Sequence, residues 1–153
     1  MQLISNMIEA HIFREGKSGI EFLLLKRSES EIYPGIWQMV SGKIKAGEKA
    51  FETALREIKE ETGLTPVKLW AAPNINSFYQ ADKDYISFLP VFAALVNPDD
   101  EVTISKEHSE FKWVEIEEAK KILAWEGQRK SVDIIKEYYL NEKYFLNFVE
   151  IKL

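Results

Sequence analysis

The sequence predicts an α+β fold or an α/β/α sandwich, with mixed strands and a few helices, from three observations. Apolar, branched runs of strand length are separated by turn chemistry, and one segment carries clear helical periodicity. Strands and helices do not alternate strictly, which speaks against a doubly wound parallel sheet. In chain order, IEFLLLKR (20–27) reads as a buried strand ending in charge, and SESEIYPG (28–35) as a loop. IWQMVSG (36–42) reads as a short strand. From Glu48 to Thr62 the apolar residues Ala50, Phe51, Ala54, Leu55 and Ile58 recur at helical spacing. Gly63 stands where a left-handed cap is expected, and Pro66 closes off any continuation. VKLWAAPNINSFYQ (67–80) and DYISFLPVFAALV (84–96) read as strands joined by a polar turn, and SEFKWVEI (109–116) as another strand. EEAKKILAW and RKSVDIIKEYYL read as two helices. The tail 143–153 is strand-like in composition and has no assigned place.

The 153 residues are expected to form one domain (1–153), long enough to bury a core. A hydrophobic content of 46% argues against disorder. The net charge of −5 argues against a broad nucleic-acid footprint, although a divalent metal would let an acidic protein hold a polyphosphate. With no cysteine there is neither a disulfide nor a thiolate nucleophile. The first residues lack the pattern of a signal peptide, and no apolar run is long enough to span a bilayer; a cytoplasmic location without membrane partners is therefore expected.

The informative stretch is GKIKAGEKAFETALREIKEETGL (42–64). Glu57, Glu60 and Glu61, three and four residues apart, share one helix face. Their repulsion costs a few tenths of a kcal/mol per pair, at the helix end where the dipole disfavours anions. A solvated helix face is one reading; a face that takes a hard divalent cation is the other.

The spacing separates the two readings. Gly42, five residues, Glu48, seven residues, then Arg56-Glu57-Ile58-Lys59-Glu60-Glu61-Thr62-Gly63-Leu64 resembles the Nudix box, G-x5-E-x7-R-E-U-x-E-E-x-G-U, at every fixed and aliphatic position. The resemblance implies a Nudix-type sandwich that binds Mg²⁺ or Mn²⁺ on a nucleoside diphosphate linked to another group. It implies Glu57, Glu60 and Glu61 as metal ligands, with one of them a candidate base, and the Ser41 carbonyl as a further ligand. Gly42 would let the backbone turn closely, and Arg56 would orient Glu57 or another carboxylate. Glu48 lies about half a helical turn round from Glu57 and is expected to hold the loop. The implied reaction is attack of water on phosphorus, without a covalent intermediate.

Outside the box, WQMVSG (37–42), EHSEFKW (107–113) and AWEGQRKSVD (124–133) resemble the bacterial dihydroneopterin triphosphate (dATP) pyrophosphohydrolases. That resemblance adds Glu107 as a metal ligand and Arg27 as a phosphate-binding arginine, and implies release of monophosphate and pyrophosphate from a nucleoside or pterin triphosphate. This chain departs from that group at Ala124, where the group has serine, and in a shorter segment between the box and Glu107. Trp37, Phe78 and Tyr79 are candidates to stack on the base, with Ser41 beside them; His108 is a candidate base beside Glu107. IEFLLL, SKEHSEFKW and Tyr79 also resemble the diadenosine tetraphosphate hydrolases, the alternative reading. A catalytically silent nucleotide-binding regulator is the third, disfavoured because all four box glutamates are kept. The oligomeric state is left open, with a homodimer allowed for.

Overall fold

The computed structural model describes residues 1–153 and contains one mixed sheet with helices on both faces. The strands are β1 (Gln2–Ile4), β2 (Met7–Gly16), β3 (Gly19–Arg27), β4 (Trp37–Gln38), β5 (Val40–Lys43), β6 (Lys68–Gln80), β7 (Tyr85–Leu95), β8 (His108–Val114) and β9 (Glu150–Ile151). The helices are α1 (Ala50–Thr62), α2 (Ile116–Ile122), α3 (Glu126–Asn141) and α4 (Lys143–Leu146). The longest path through the sheet runs β4-β3-β2-β7-β6-β9, with β1 on β7, β5 on β2 and β8 on β3. β2 and β1 run parallel to β7 and every other pairing is antiparallel, so the sheet is mixed as expected.

Alternation along the central strands divides the core in two. Ile8, Ala10 and Ile12 of β2, with Leu23 and Leu25 of β3, face α1 and pack with Ala54 and Ile58. Phe13 of β2, with Phe22 and Leu24 of β3, faces the other way and packs with Leu123, Val132, Ile135 and Tyr139. Two layers of side chains, one on each face of the sheet, give the sandwich.

β6 and β7 form a long hairpin whose register shifts between Ala71 and Ile75. Pro73 falls in that shift, where a missing N–H leaves no ladder bond unmade. α1 ends on Gly63, which takes φ 73° and donates its N–H to the Lys59 carbonyl at 2.9 Å. Three segments differ from the sequence expectation. β2 begins in a stretch given no element, because Glu9 and His11 interrupt its apolar run. IWQMVSG divides into β4 and β5 at Met39. The tail is a helical turn, α4, followed by the two-residue β9 on β6. No helix is long and apolar enough to cross a membrane.

Candidate functional site

The site is built where β5 leaves the sheet and the chain turns back into α1. Gly42 pairs with Ile8, so a side chain at residue 42 would point toward α1. A Cβ added there would overlap the side chain of Glu57, so glycine is required for the helix to bring that carboxylate down onto β5. Glu57 is fixed from its other side by Arg56, whose Nη1 donates to Glu57 Oε1 at 2.7 Å.

Arg56 in turn is held by Glu48. Its Nε donates to Glu48 Oε1 at 2.5 Å and its Nη2 to Glu48 Oε2 at 2.9 Å, while Nη2 also reaches the Lys43 carbonyl at 3.1 Å. This two-pronged carboxylate–guanidinium pair is the strong kind. Glu48 Oε2 further accepts from Thr53 Oγ1 at 2.7 Å and from the Lys45 N–H at 3.1 Å. Glu48 therefore ties the 43–49 loop to the first turns of α1. Its hydrogen bond with Arg56, and then that with Thr53, lowers its pKa well below the usual carboxylate range.

Glu61 projects from α1 into the protein. It is buried, and its Oε2 has no hydrogen-bond partner. Burial raises its pKa most, and the nearby charges of Glu57 and Glu107 raise it further, while Arg27 opposes them. Three glutamates from two parts of the chain thus bear on one another here. Glu107 is more exposed; burial, then Glu31 and Glu57, raises its pKa, and Arg27 lowers it. β8 places it, since Arg27 pairs with His108 and the Ser28 N–H donates to the Glu107 carbonyl at 2.9 Å.

His108 stands behind Glu61. Its Nε2 lies 3.1 Å from the Gln38 amide nitrogen and its Nδ1 lies 3.7 Å from Glu61 Oε1. Burial, helped by Arg27, pushes the imidazole down to about 4, so it is neutral near pH 7 and the contact with Glu61 is not an ion pair. With Gln38 donating, Nε2 accepts and the ring proton sits on Nδ1, toward Glu61.

The other candidates are placed as follows. Glu60 is turned outward, its side chain 55% exposed, and lies 3.4 Å from Arg56 Nη1. No three carboxylate or imidazole side chains close around a common point; Glu57, Glu61 and Glu107 are neighbours, and Glu60, turned outward, still adds its charge at Glu107. Arg27 uses Nε on the Ile32 carbonyl at 2.6 Å, with Nη2 3.6 Å from Glu31, at the rim beside Glu107. Trp37 packs on the α3-side core, with Lys112 Nζ 4.8 Å from its ring centre. Phe78 and Tyr79 lie on β6, three strands from β5 or about 14 Å across the sheet, and the Tyr79 hydroxyl is bound to Asp84. The structure does not bring these two rings to the carboxylates.

Sequence reasoning missed Gln38, Thr53 and Glu9. Glu9 pairs with Ser41 across β2 and β5 and is buried, with Asn76 Nδ2 donating to its Oε1 at 2.8 Å. Burial raises it to about 7, against the Asn76 hydrogen bond. Its signal was available: MIEAHIF alternates, which places Glu9 and His11 on the same face as Phe13.

A family model described as the NUDIX domain matches residues 8–134. An asymmetrical bis(5'-nucleosyl)-tetraphosphatase of Caenorhabditis elegans is 38% identical over 72% of this chain and 79% of its own length. The nucleoside triphosphatase NudI of Escherichia coli is 30% identical over 63% of this chain and 74% of its own. The solved structure of the E. coli dihydroneopterin triphosphate pyrophosphohydrolase superposes with a TM-score of 0.68, covering 84% of this chain and 94% of that one. At 22% identity that likeness speaks for the fold alone. With the family model spanning most of the chain and the Gly42–Leu64 box set between β5 and the end of α1, the chain belongs to the Nudix family of hydrolases.

Proposed function

We propose that the protein hydrolyses a nucleoside or pterin triphosphate to the monophosphate and pyrophosphate, with a divalent cation, at the face formed by Glu57, Glu61 and Glu107. The observation that carries this reading is Glu61: a buried carboxylate with a free Oε2, set among like charges. Such an arrangement opposes ionisation and suits a hard cation that would reverse the local sign. Glu57 and Glu61 would hold it, with Glu107 and the Ser41 carbonyl from the other side. Glu60 would join only by turning away from Arg56. When bound, Mg²⁺ or Mn²⁺ neutralises phosphate charge and makes water a better nucleophile at neutral pH.

The protein's own groups do the rest. Arg56, locked by Glu48, fixes the rotamer of Glu57. Arg27, with Nε committed to a backbone carbonyl and Nη2 3.6 Å from Glu31, would turn its outer nitrogens to a phosphate oxygen. Glu57 and Glu61 are the candidates to accept the proton of the attacking water. His108, neutral and backed by Gln38, limits where the Glu61 side chain can lie.

A second reading, asymmetric cleavage of a dinucleoside tetraphosphate, is favoured by the 38% identity to the C. elegans tetraphosphatase. Against it, Tyr79, one of the three features that suggested it beside IEFLLL and SKEHSEFKW, has its hydroxyl bound to Asp84. The test is a panel of dATP, dGTP, dihydroneopterin triphosphate, diadenosine tetraphosphate and ADP-ribose with Mg²⁺, products separated by chromatography. The first reading expects a triphosphate to be preferred in kcat/KM and to release pyrophosphate. A tenfold preference for the tetraphosphate, releasing ATP and AMP, would establish the second.

A further inference from the structure

On the face of the sheet opposite α1 lies a second polar group of side chains that none of the steps above uses. Glu9, His11 and Gln128 are 3%, 1% and 6% exposed, and each carries a buried atom without a hydrogen-bond partner: Glu9 Oε2, His11 Nε2 and Gln128 Oε1. Leaving a buried polar atom unpaired is costly, so such atoms call for a partner. The surroundings are ordered. Asn76 Nδ2 donates to Glu9 Oε1 at 2.8 Å, and Asn74 Nδ2 to Ser131 Oγ at 2.8 Å. Ser131 Oγ donates to the Gly127 carbonyl at 3.0 Å. A Cβ at Gly127 would overlap the Asn76 amide, so the start of α3 lies flat on the residue that holds Glu9.

The position of this group relative to the carboxylates is set by one strand. Ser41 pairs with Glu9, so their side chains share the α3 face; Gly42, the next residue, meets Glu57 on the α1 face. A ligand crossing β5 at Ser41–Gly42 would have its phosphates by Glu57 and its other end by Glu9.

We propose that Glu9, Asn76 and Gln128 form the subsite that receives the hydrogen-bonding edge of the substrate's heterocycle, and that they select a 2-amino-4-oxo ring, as in guanine or a pterin, over adenine. The inference rests on the reading of the substrate as a heterocycle-bearing polyphosphate. Gln128 Oε1 is an acceptor, and Glu9 Oε2 is one when that carboxyl is ionised, as it is well above pH 7. A guanine or pterin edge presents a ring N–H beside an amino group, two donors side by side that a carboxylate can receive. Adenine presents one donor beside an acceptor, and would leave one Glu9 contact opposed rather than made. The group is closed in this structure, so the heterocycle enters by parting the start of α3 from Asn76, at the Gly127 contact.

The test measures binding without metal or turnover, so a failure of the hydrolytic reading leaves it intact. GMP, neopterin monophosphate and AMP are titrated by calorimetry into the wild-type protein and into Glu9→Gln, which keeps the shape and replaces an acceptor by a donor. Wild type is expected to bind GMP or neopterin monophosphate at least about tenfold more tightly than AMP, and Glu9→Gln to collapse that ratio toward one. The tighter of the first two identifies the source of the ring. Equal affinity of all three for wild type overturns the proposal. So does a ratio unchanged in Glu9→Gln, which would mean that Glu9 is a structural group satisfied by buried water. If Glu9→Gln does not fold, Glu9→Asp, which keeps the charge but withdraws it, is put to the same comparison, and an unchanged ratio there overturns the proposal equally.

Discussion

Glu57 fills the space that any side chain at Gly42 would need. The box glycine and the box glutamate, 15 residues apart in sequence, are therefore a single packing unit: the strand can offer its backbone to the site only because the helix supplies the side chain. Gly42→Ala should accordingly act through Glu57. The added methyl forces that carboxylate off its Arg56 hydrogen bond, and overpacking of this kind costs about 1–3 kcal/mol. Activity is expected to fall at least about 10²-fold, with the Mg²⁺ requirement raised. Steady-state rates across a Mg²⁺ series, alongside a melting curve, check both parts.

Arg56 makes hydrogen bonds to Glu48, Glu57 and the Lys43 carbonyl at once. Lysine keeps the charge but cannot reproduce the fork. Arg56→Lys should lose about 10- to 100-fold in kcat while remaining folded, and Glu48→Gln should show a milder version of the same defect. If Arg56→Lys matched the wild-type rate, the fork would have no part in positioning Glu57.

Glu61 gives a prediction in stability that does not depend on turnover. Its folded pKa lies above the unfolded value, so without metal the native state is favoured below about pH 4.5 and loses that advantage as pH rises toward the folded pKa. At pH 7.5, metal-free Glu61→Gln should melt at or above the wild-type temperature. Mg²⁺ should raise the wild-type melting temperature by several degrees and leave that of Glu61→Gln nearly unmoved. Parallel melting curves with Mg²⁺ and with chelator decide it.

Much of the fold was legible because burial imposes a period. The α1 segment announced itself by its apolar spacing, its Gly63 cap and Pro66, and β3, β6 and β7 by their branched runs. β2 was missed for a physical reason: its inward positions on the α3 face carry Glu9 and His11, so the run reads as polar although both side chains are buried. The tail was ambiguous because α4 and β9 are too short to show any period, and contact with the rest of the protein shapes them. At the site, the box residues could be read from spacing alone. Gln38 and Thr53 could not, because their roles arise from pairing across strands or across the loop, and Glu9 was passed over although the alternation of MIEAHIF marks its face. Phe78 and Tyr79 were suggested by residue type, and the β6–β7 pairing places them well across the sheet.

Glu107 and Glu110 form a matched pair on either side of the site boundary. Glu107 is close enough to feel Glu57 and Arg27, whereas Glu110 Oε2 makes an exposed ion pair with Lys26 Nζ at 3.1 Å. Glu107→Gln should raise the Mg²⁺ concentration for half-maximal rate severalfold without altering the metal-free melting temperature. Glu110→Gln should change neither by much, since exposed pairs contribute about 0–1 kcal/mol. Identical Mg²⁺ curves for the two variants would remove Glu107 from the site.

His11 and Glu9 set opposite pH slopes within one cluster. Burial holds His11 down to about 3, so the unfolded chain takes up its proton first and stability falls as pH drops below about 6.5. Burial holds Glu9 up to about 7, so stability falls as pH rises from about 4.5 to that value. Between about 4.5 and 6.5 the two slopes, each about 1.4 kcal/mol per pH unit, cancel. Glu9→Gln should expose the His11 slope, so that the acid-side loss of stability begins near pH 6.5; His11→Gln should flatten it below pH 4.5. Denaturant midpoints at half-unit steps from pH 3.5 to 7.5 provide the comparison.

The account stands most directly on one incubation: dGTP or dihydroneopterin triphosphate with the wild-type protein, in Mg²⁺ or in excess chelator, followed by ³¹P NMR. Turnover in Mg²⁺ alone, with pyrophosphate and the monophosphate appearing together and no signal in Glu57→Gln or Glu61→Gln, is the predicted result. Turnover in chelator, or orthophosphate as the first product, would contradict it.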